Sequence, residues 1–377
     1  MDKKMKILFT GGGSGGHITP IIAIVREIKK IMPLDTELLY VGPREKWASL
    51  FLTQEDIRVK QILSGKIRRY FTLKAILLNT LDLFKLFLGF FQAFFIIFLE
   101  NPDLVFSKGG YGSISIVFCA KIFQIPIFLH ESDVYPGLAN QVASKFATKI
   151  FTSFPKTQYF SAEKIIIAGN PIRKEILKGS EEQDRKKLNL TGEKPVLFVY
   201  GGSLGSQRIN DLILLILPEL LKEFEVIHQC GIKNFKDVKA ESQMVMPDEL
   251  KKYYHVFGFL KELELKEVYF VSDIILSRAG SGTIFEIAAL GKPSILVPLP
   301  ESAQNHQLRN AYAFAQNGAS LVIEEKNFNP QFFLEKLRFL ISQPEKDLEK
   351  MSMEAQKFSR PNAAKAIANY LIKYLLI

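Results

Sequence analysis

The chain reads as an α/β protein made of two Rossmann-like domains facing each other across a cleft. Three observations carry this. Short apolar runs recur with the length and β-branching of buried parallel strands, at residues 6–10, 104–107, 195–200 and 274–276. Each of these four runs into a glycine turn, at 11–16, 109–112, 201–205 and 280–282, and helix-period sequence follows. The strand–turn–helix opening of the N-terminus returns at 195–206, which suggests two sheets rather than one large one.

A length of 377 residues accommodates two full hydrophobic cores, and 47% hydrophobic with 23% charged residues excludes wholesale disorder. The net charge of +10 points to an anionic partner: nucleic acid, a membrane surface or a phosphate-bearing substrate. Cys119 and Cys230 are the two cysteines, too few for a disulfide framework or a thiolate metal site. The N-terminal apolar run ends at once in glycine, without the core of a signal peptide, so a cytoplasmic location is expected.

In chain order, strand 6–10 leads into Gly11-Gly12-Gly13-Ser14-Gly15-Gly16-His17. The spacing fits a dinucleotide fingerprint, but strand 37–41 ends in Gly42-Pro43 where a ribose-binding acid would be wanted. No Gly-Lys-Ser/Thr follows, which excludes a Walker loop. What remains is a set of backbone amides at a helix N-terminus, open to an oxyanion. His17 either caps that loop or serves as a general base, its ordinary pKa lying near neutrality.

Residues 58–81 hold six basic residues and no acid, and 83–99 is almost continuously apolar with seven phenylalanines. The charge-free run 86–99 is shorter than the roughly 20 residues a spanning helix needs. Residues 90–99 are therefore expected to pack as a buried helix on the sheet. Residues 65–87, with Lys66, Arg68, Arg69, Tyr70, Phe71, Lys74 and Leu77, suit contact with an anionic membrane surface without crossing it.

The second glycine turn carries Gly109, Gly110 and Tyr111, and strand 125–130 ends in His130-Glu131-Ser132-Asp133, at the strand end where open α/β sheets bind ligands. Arg173 follows Gly169-Asn170-Pro171-Ile172 at the exit of the first half, either on the surface or clamping phosphate at a hinge. The boundary is expected here: 1–168 form the first domain, 169–358 the second, and a last helix in 359–377 packs back on the first.

The stretch 274–291 is the centre of the second half. Strand, Arg278-Ala279-Gly280-Ser281-Gly282 turn and helix start supply amides and partial positive charge for an anion. Thr283 and Glu286 stand at capping-box spacing; Glu286 either closes that box or accepts sugar hydroxyls of a bound nucleotide. The acidic pairs Glu262/Glu264 and Asp347/Glu349 fall in helix-like segments, so no metal site is expected. Phosphate charge would be met by helix dipoles and arginine instead. Nucleic acid is disfavoured as a partner, because the basic residues mix with aliphatic ones and no recognition motif occurs.

The motifs GGGSGGH (11–17), GGYGS (109–113), HESD with PGLAN (130–140), GNPIR (169–173), GGSLGS (201–206), SRAGSGTIFEIAALGKP (277–293) and NHQLRNA (305–311) together resemble the MurG family over nearly the whole chain. The resemblance implies a B-type glycosyltransferase fold at the cytoplasmic face of the bacterial membrane. It implies transfer of N-acetylglucosamine from UDP-N-acetylglucosamine to lipid I, giving lipid II, with no tightly bound metal or other cofactor. It places the acceptor diphosphate at Gly12, Gly16, Gly109, Gly110 and Tyr111. The donor is expected at Gly13, Ser14, Gly15, Arg173, Ser203, Leu260, Arg278, Ser281, Gly282, Thr283, Glu286 and Gln307, with Glu286 on the ribose and Leu260 against uracil. His17 is the favoured base, with Asp133 as second candidate. Asp133, Leu204 and Asn305 depart from the family's usual Asn, Gln and Asp. A diacylglycerol-directed glycosyltransferase, a UDP-N-acetylglucosamine 2-epimerase and a non-catalytic nucleotide-sugar-binding protein are the rival readings.

Overall fold

The four apolar runs that end in glycine turns are all strands. A computed structural model describes residues 4–12, 15–32, 36–65, 73–155, 158–202, 204–342 and 345–376. The chain divides into two units, Met1–Arg173 with Pro361–Ile377, and Lys174–Arg360.

In the first unit the strands are β1 (Met5–Thr10), β2 (Thr36–Pro43), β3 (Arg58–Ile62), β4 (Leu104–Ser107), β5 (Ile127–Glu131), β6 (Lys149–Thr152) and β7 (Ile165–Ile167). They form a parallel sheet in the order β3-β2-β1-β4-β5-β6-β7. The side chains of β1 alternate between faces, and both faces are covered. Ile7 and Phe9 pack on Ile21, Val25 and Ile28 of the helix Gly15–Ile31, while Leu8 joins Ile116 and Ala120 on the other side. Each such fully buried side chain contributes about 1.5–3 kcal/mol. The last helix, Ala363–Leu375, adds Ala364, Ile367, Ala368 and Leu371 to the core containing Ile7 and Phe9.

The second unit contains β8 (Val196–Tyr200), β9 (Glu225–Gln229), β10 (Tyr254–Phe257), β11 (Ile274–Ser277), β12 (Ser294–Leu296) and β13 (Leu321–Val322). Its parallel sheet runs β10-β9-β8-β11-β12-β13. The helix Gln207–Glu223 covers one face with Ile209, Ile213, Leu217 and Leu220.

Two expectations need correction. The segment 90–99 is not wholly buried. It belongs to one continuous helix, Leu73–Glu100, of which Ala93 and Ile97 pack on the sheet while Phe91, Phe95, Phe98 and Leu99 are exposed. A helix apolar on all sides can bury only one stripe against one sheet. By length and composition Leu78–Glu100 could cross a membrane, but its buried stripe is part of the first unit's core. The docking stretch, expected to reach back to Arg58, is also not wholly open to lipid. Arg58 and Lys60 lie on β3 and pair with Glu100, and Arg58 also meets Glu37.

Candidate functional site

In both sheets the strand order reverses between two neighbours whose following loops leave in opposite directions. Those neighbours are β1 and β4 in the first unit and β8 and β11 in the second. All four glycine turns follow these four strands. They therefore flank the two switch points, where ligands bind in open parallel sheets.

In the first unit the His17 ring lies against the backbone of the turns. A Cβ on Gly12 would stand 2.9 Å from its Cε1, and one on Gly110 would stand 2.9 Å from its Nε2. Gly110 also adopts φ +84°, a left-handed conformation, so both shape and backbone require glycine there. Desolvation, then the charge of Lys108, pulls the His17 pKa down to about 3, keeping the imidazole neutral. Gly15 and Gly16 open the helix Gly15–Ile31 beside it. The Tyr111 phenol is pushed up by burial and by the charge and hydrogen bond of Glu45.

Glu131, the last residue of β5, is buried and organises the next loop. Its Oε1 accepts from the Asp133 N–H at 3.0 Å, and its Oε2 accepts from the Gly137 N–H at 3.1 Å and Asn140 Nδ2 at 2.9 Å. Burial and then the charge of Asp133 raise its pKa, outweighing these hydrogen bonds. Asp133 is half-buried on the loop so held. Lys108, directly after β4, is buried and its Nζ donates to Ser132 Oγ. Arg173, half-buried, is the last residue of the first unit's main segment.

In the second unit the helix after β11 spans Ser281–Leu290 with Gly280 at its N-cap. It begins two residues before Thr283, so the capping-box reading of Thr283 and Glu286 does not hold. Glu286 lies inside the helix, buried, and its Oε2 accepts from Tyr269 Oη at 3.0 Å. Added Cβ atoms on Gly280 and Gly282 would meet nothing within 4 Å. The helix N-terminus, with Ser281, Gly282 and Thr283 in its first turn, therefore has room for close approach by a phosphate.

Arg278 is built into the wall of this crevice. Its Nε and Nη2 donate to Ser206 Oγ at 3.1 and 2.7 Å, its Nη1 donates to Val297 O at 3.1 Å, and it pairs with Glu325. Leu260 is buried and its N–H donates to Gln229 Oε1 at 3.1 Å. Gln307, in the first turn of the helix His306–Ala315, accepts from the Leu299 N–H at 3.0 Å.

Gly12, Gly16, His17, Gly109, Gly110 and Tyr111 thus share the first switch point with Gly15, while Ser281, Gly282, Thr283, Glu286 and Arg278 share the second. Gly13, Ser14, Ser203, Lys66, Arg68, Arg69, Tyr70 and Phe71 lie outside the described residues. Lys74 and Leu77 fall in the first turns of the helix Leu73–Glu100. Sequence reasoning gave no role to Lys108, Glu131, Tyr269 or Gln229. Lys108 and Glu131 carried a signal, polar residues at strand ends beside motifs; Tyr269, on the buried side of the partly charged helix Glu262–Val271, carried none. Among the described residues no group of three or more His, Cys, Asp or Glu side chains is arranged to hold a metal ion.

Two parallel sheets, each with a glycine-lined crevice at its switch point, define the two-domain architecture of B-type glycosyltransferases. The glycosyltransferase family 28 N-terminal domain matches residues 7–152, and the family 28 C-terminal domain matches residues 196–367. Curated relatives named UDP-N-acetylglucosamine--N-acetylmuramyl-(pentapeptide) pyrophosphoryl-undecaprenol N-acetylglucosamine transferase include one from Clostridium tetani, 38% identical over 97% of this chain and 98% of its own. Another, from Clostridium perfringens, is 40% identical over 93% of this chain and 94% of its own. The chain belongs to glycosyltransferase family 28, as a member of its MurG family.

Among solved structures, Acinetobacter baumannii MurG matches with a TM-score of 0.73 at 21% identity, covering 98% of this chain and 99% of that one. A UDP-GlcNAc 2-epimerase from Neisseria meningitidis bound to UDP-GlcNAc matches with a TM-score of 0.67 at 16% identity, covering 98% of this chain and 100% of that one. The fold alone is thus common to transferase and epimerase.

Proposed function

We propose that the protein is the inverting transferase that moves N-acetylglucosamine from UDP-N-acetylglucosamine to the 4-hydroxyl of the N-acetylmuramoyl-pentapeptide of lipid I, giving lipid II. The observation that carries this is the second switch point, where an open helix N-terminus stands one turn from a buried carboxylate held by Tyr269. That pairing suits a nucleoside diphosphate, with phosphates at the amides of Ser281, Gly282 and Thr283 and ribose hydroxyls on Glu286. Uracil lies beside Leu260. The same reading assigns Ser203, Arg173, Gln307, Gly13, Ser14 and Gly15 to the donor as well.

The acceptor hydroxyl attacks the anomeric carbon as the bond to UDP breaks. His17, neutral at the first switch point, receives the hydroxyl proton, with Asp133 the second candidate. A diphosphate at Gly12, Gly16, Gly109, Gly110 and Tyr111 brings negative charge next to the imidazole. This raises its proton affinity, opposing desolvation and Lys108. Negative charge building on the departing UDP meets helix N-terminal amides, so no resident metal is needed for that step.

The lipid-linked acceptor fits a chain that docks on the cytoplasmic face of the membrane as a peripheral protein. Phe84, Phe87, Phe91, Phe95 and Phe98 form an exposed stripe at helical spacing along Leu73–Glu100, and Lys66, Arg68, Arg69, Tyr70, Phe71, Lys74 and Leu77 precede it in the sequence. This stripe favours a lipid acceptor over the epimerase reading, which needs none.

Radiolabelled UDP-N-acetylglucosamine supplied with a lipid I analogue, with diacylglycerol, or with no acceptor tests the proposal. Label is expected in the lipid I analogue alone. Label in diacylglycerol, or an epimerised sugar without acceptor, would replace the reading.

A further inference from the structure

We infer that Lys108 is the cationic contact for the acceptor's diphosphate, its ammonium completing an anion site between the two glycine turns of the first unit. The inference rests on the reading of those turns as the acceptor side.

The backbone puts Lys108 at the switch point itself. It follows the last residue of β4, and its N–H continues the sheet by donating to Thr10 O at 2.9 Å. A Cβ on Gly11 would lie 3.4 Å from the Lys108 Cβ, so the lysine stem runs alongside the turn that leaves β1. Gly109 and Gly110 follow it in sequence. Both glycine turns therefore border this one side chain.

Its environment is incomplete for a cation. Lys108 is 4% exposed, yet the hydrogen bond found for its Nζ goes to a neutral hydroxyl, Ser132 Oγ. An ammonium carries three donors. Among the described residues no carboxylate pairs with it within ion-pair distance. Glu131 and Asp133 favour its charge only through space, against the larger effect of desolvation, which lowers its pKa. The Glu131 oxygens accept instead from the Asp133 N–H, the Gly137 N–H and Asn140 Nδ2.

Burying an ammonium with so little compensation is unfavourable unless an anion completes the site when the protein works. A diphosphate supplies both the negative charge and the missing acceptors, and lysine meets phosphate as a point charge without demanding a fixed geometry. A side chain serving only as a strut to Ser132 would not require a positive charge at this place.

A diphosphate occurs in both acceptor and donor, and the experiment separates them. Lys108→Met keeps the length and apolar stem and removes the charge. The acceptor KM should rise about tenfold or more, as for loss of a charged hydrogen bond, with the UDP-N-acetylglucosamine KM within about twofold of the parent. Lys108→Arg should recover part of the loss. A rise in the donor KM alone, or an unchanged acceptor KM, would overturn the assignment. In a second arm, a diphosphate acceptor is compared with an analogue carrying a neutral linker. The parent should prefer the diphosphate, and Lys108→Met should lose most of that preference. A parent without preference would overturn the acceptor-side reading together with the inference. A parent with preference that the variant keeps in full would overturn the role of Lys108 alone. Should the methionine variant fail to fold, Lys108→Gln replaces it. Inorganic pyrophosphate added to the parent gives a check without mutation: competition against the acceptor supports the site, and competition against the donor alone overturns it.

Discussion

The Tyr269 hydroxyl donates a 3.0 Å hydrogen bond to Glu286 Oε2, and both side chains are buried in the second unit. Tyr269 is fixed in turn by an edge-on contact with Phe198, ring centroids 5.7 Å apart at 87°. Its hydroxyl therefore orients one carboxylate oxygen of Glu286. Tyr269→Phe keeps the ring and removes that bond. The KM for UDP-N-acetylglucosamine should rise about 3- to 10-fold with kcat little changed, at a stability cost of about 1 kcal/mol. Steady-state kinetics with the donor varied checks this; an unchanged KM would show that Glu286 needs no such support.

His17 is the candidate base. Removing a positioned base typically costs about 10²–10⁴-fold in rate. His17→Ala should lower kcat by that amount while leaving UDP affinity, measured calorimetrically, near the parent's. Turnover within a few-fold of the parent would transfer the role to Asp133, tested next as Asp133→Asn.

The turn after β8 separates strain from collision. Gly205 has φ +77°, and a Cβ there would sit 2.0 Å from Cys230 O; Gly202 has φ +86° but open space around it. Gly202→Ala should cost about 1 kcal/mol, from backbone conformation alone. Gly205→Ala should cost at least about 3 kcal/mol, because it must also move the neighbouring strand end. Urea titrations of the two variants side by side measure the difference.

Acid should loosen the first unit through Glu100. Burial works to raise its pKa, but hydrogen bonds and charge from Lys60 and Lys6 outweigh it and hold the carboxyl down to about 2. A carboxyl depressed in the folded state stabilises fully above its unfolded value, near 4.5, and loses that contribution as pH falls towards 2. Because Arg58 and Lys60 are substantially exposed, the contribution is discounted to about 2 kcal/mol. Glu100→Gln should be less stable by about that amount at pH 7. The gap should narrow as denaturation is repeated at successively lower pH below 4.5.

Membrane affinity should reside in the exposed phenylalanines. Phe87→Glu and Phe91→Glu should each weaken sedimentation with anionic vesicles about tenfold or more, from the lost insertion of one aromatic side chain. Charge reversal at Arg68 and Arg69 should weaken it as well, and in a salt-dependent way. Vesicle binding unaffected by all of these changes would remove the membrane assignment.

The central strands were legible because both faces of a parallel sheet are buried, which writes a continuous apolar run into 6–10, 104–107, 196–200 and 274–277. The edges were not. β3 carries Arg58, Lys60 and Gln61, since an edge strand needs no unbroken apolar run, and β13 is only two residues long. The glycine turns announced both crevices, because close backbone approach leaves a mark in composition. What holds them left a weaker mark. Tyr269 reads as one more apolar helix residue, and its meeting with Glu286 depends on how two helices pack, which local pattern does not encode. The start of the helix Ser281–Leu290 was missed because Thr283 and Glu286 imitate a cap while Gly280 performs that task.

The helix Ala363–Leu375 has a consequence for how the molecule comes into being. Its residues Ile367 and Leu371 sit in the same core as Ile7 and Phe9, so a segment made early in translation is completed by one made much later. Until translation reaches that helix, a greasy face of the nascent N-terminal half stays uncovered, beside a polypeptide that already exposes its phenylalanine stripe. Folding of this unit is thereby tied to synthesis of that helix, and this unit is the one expected to call on chaperones.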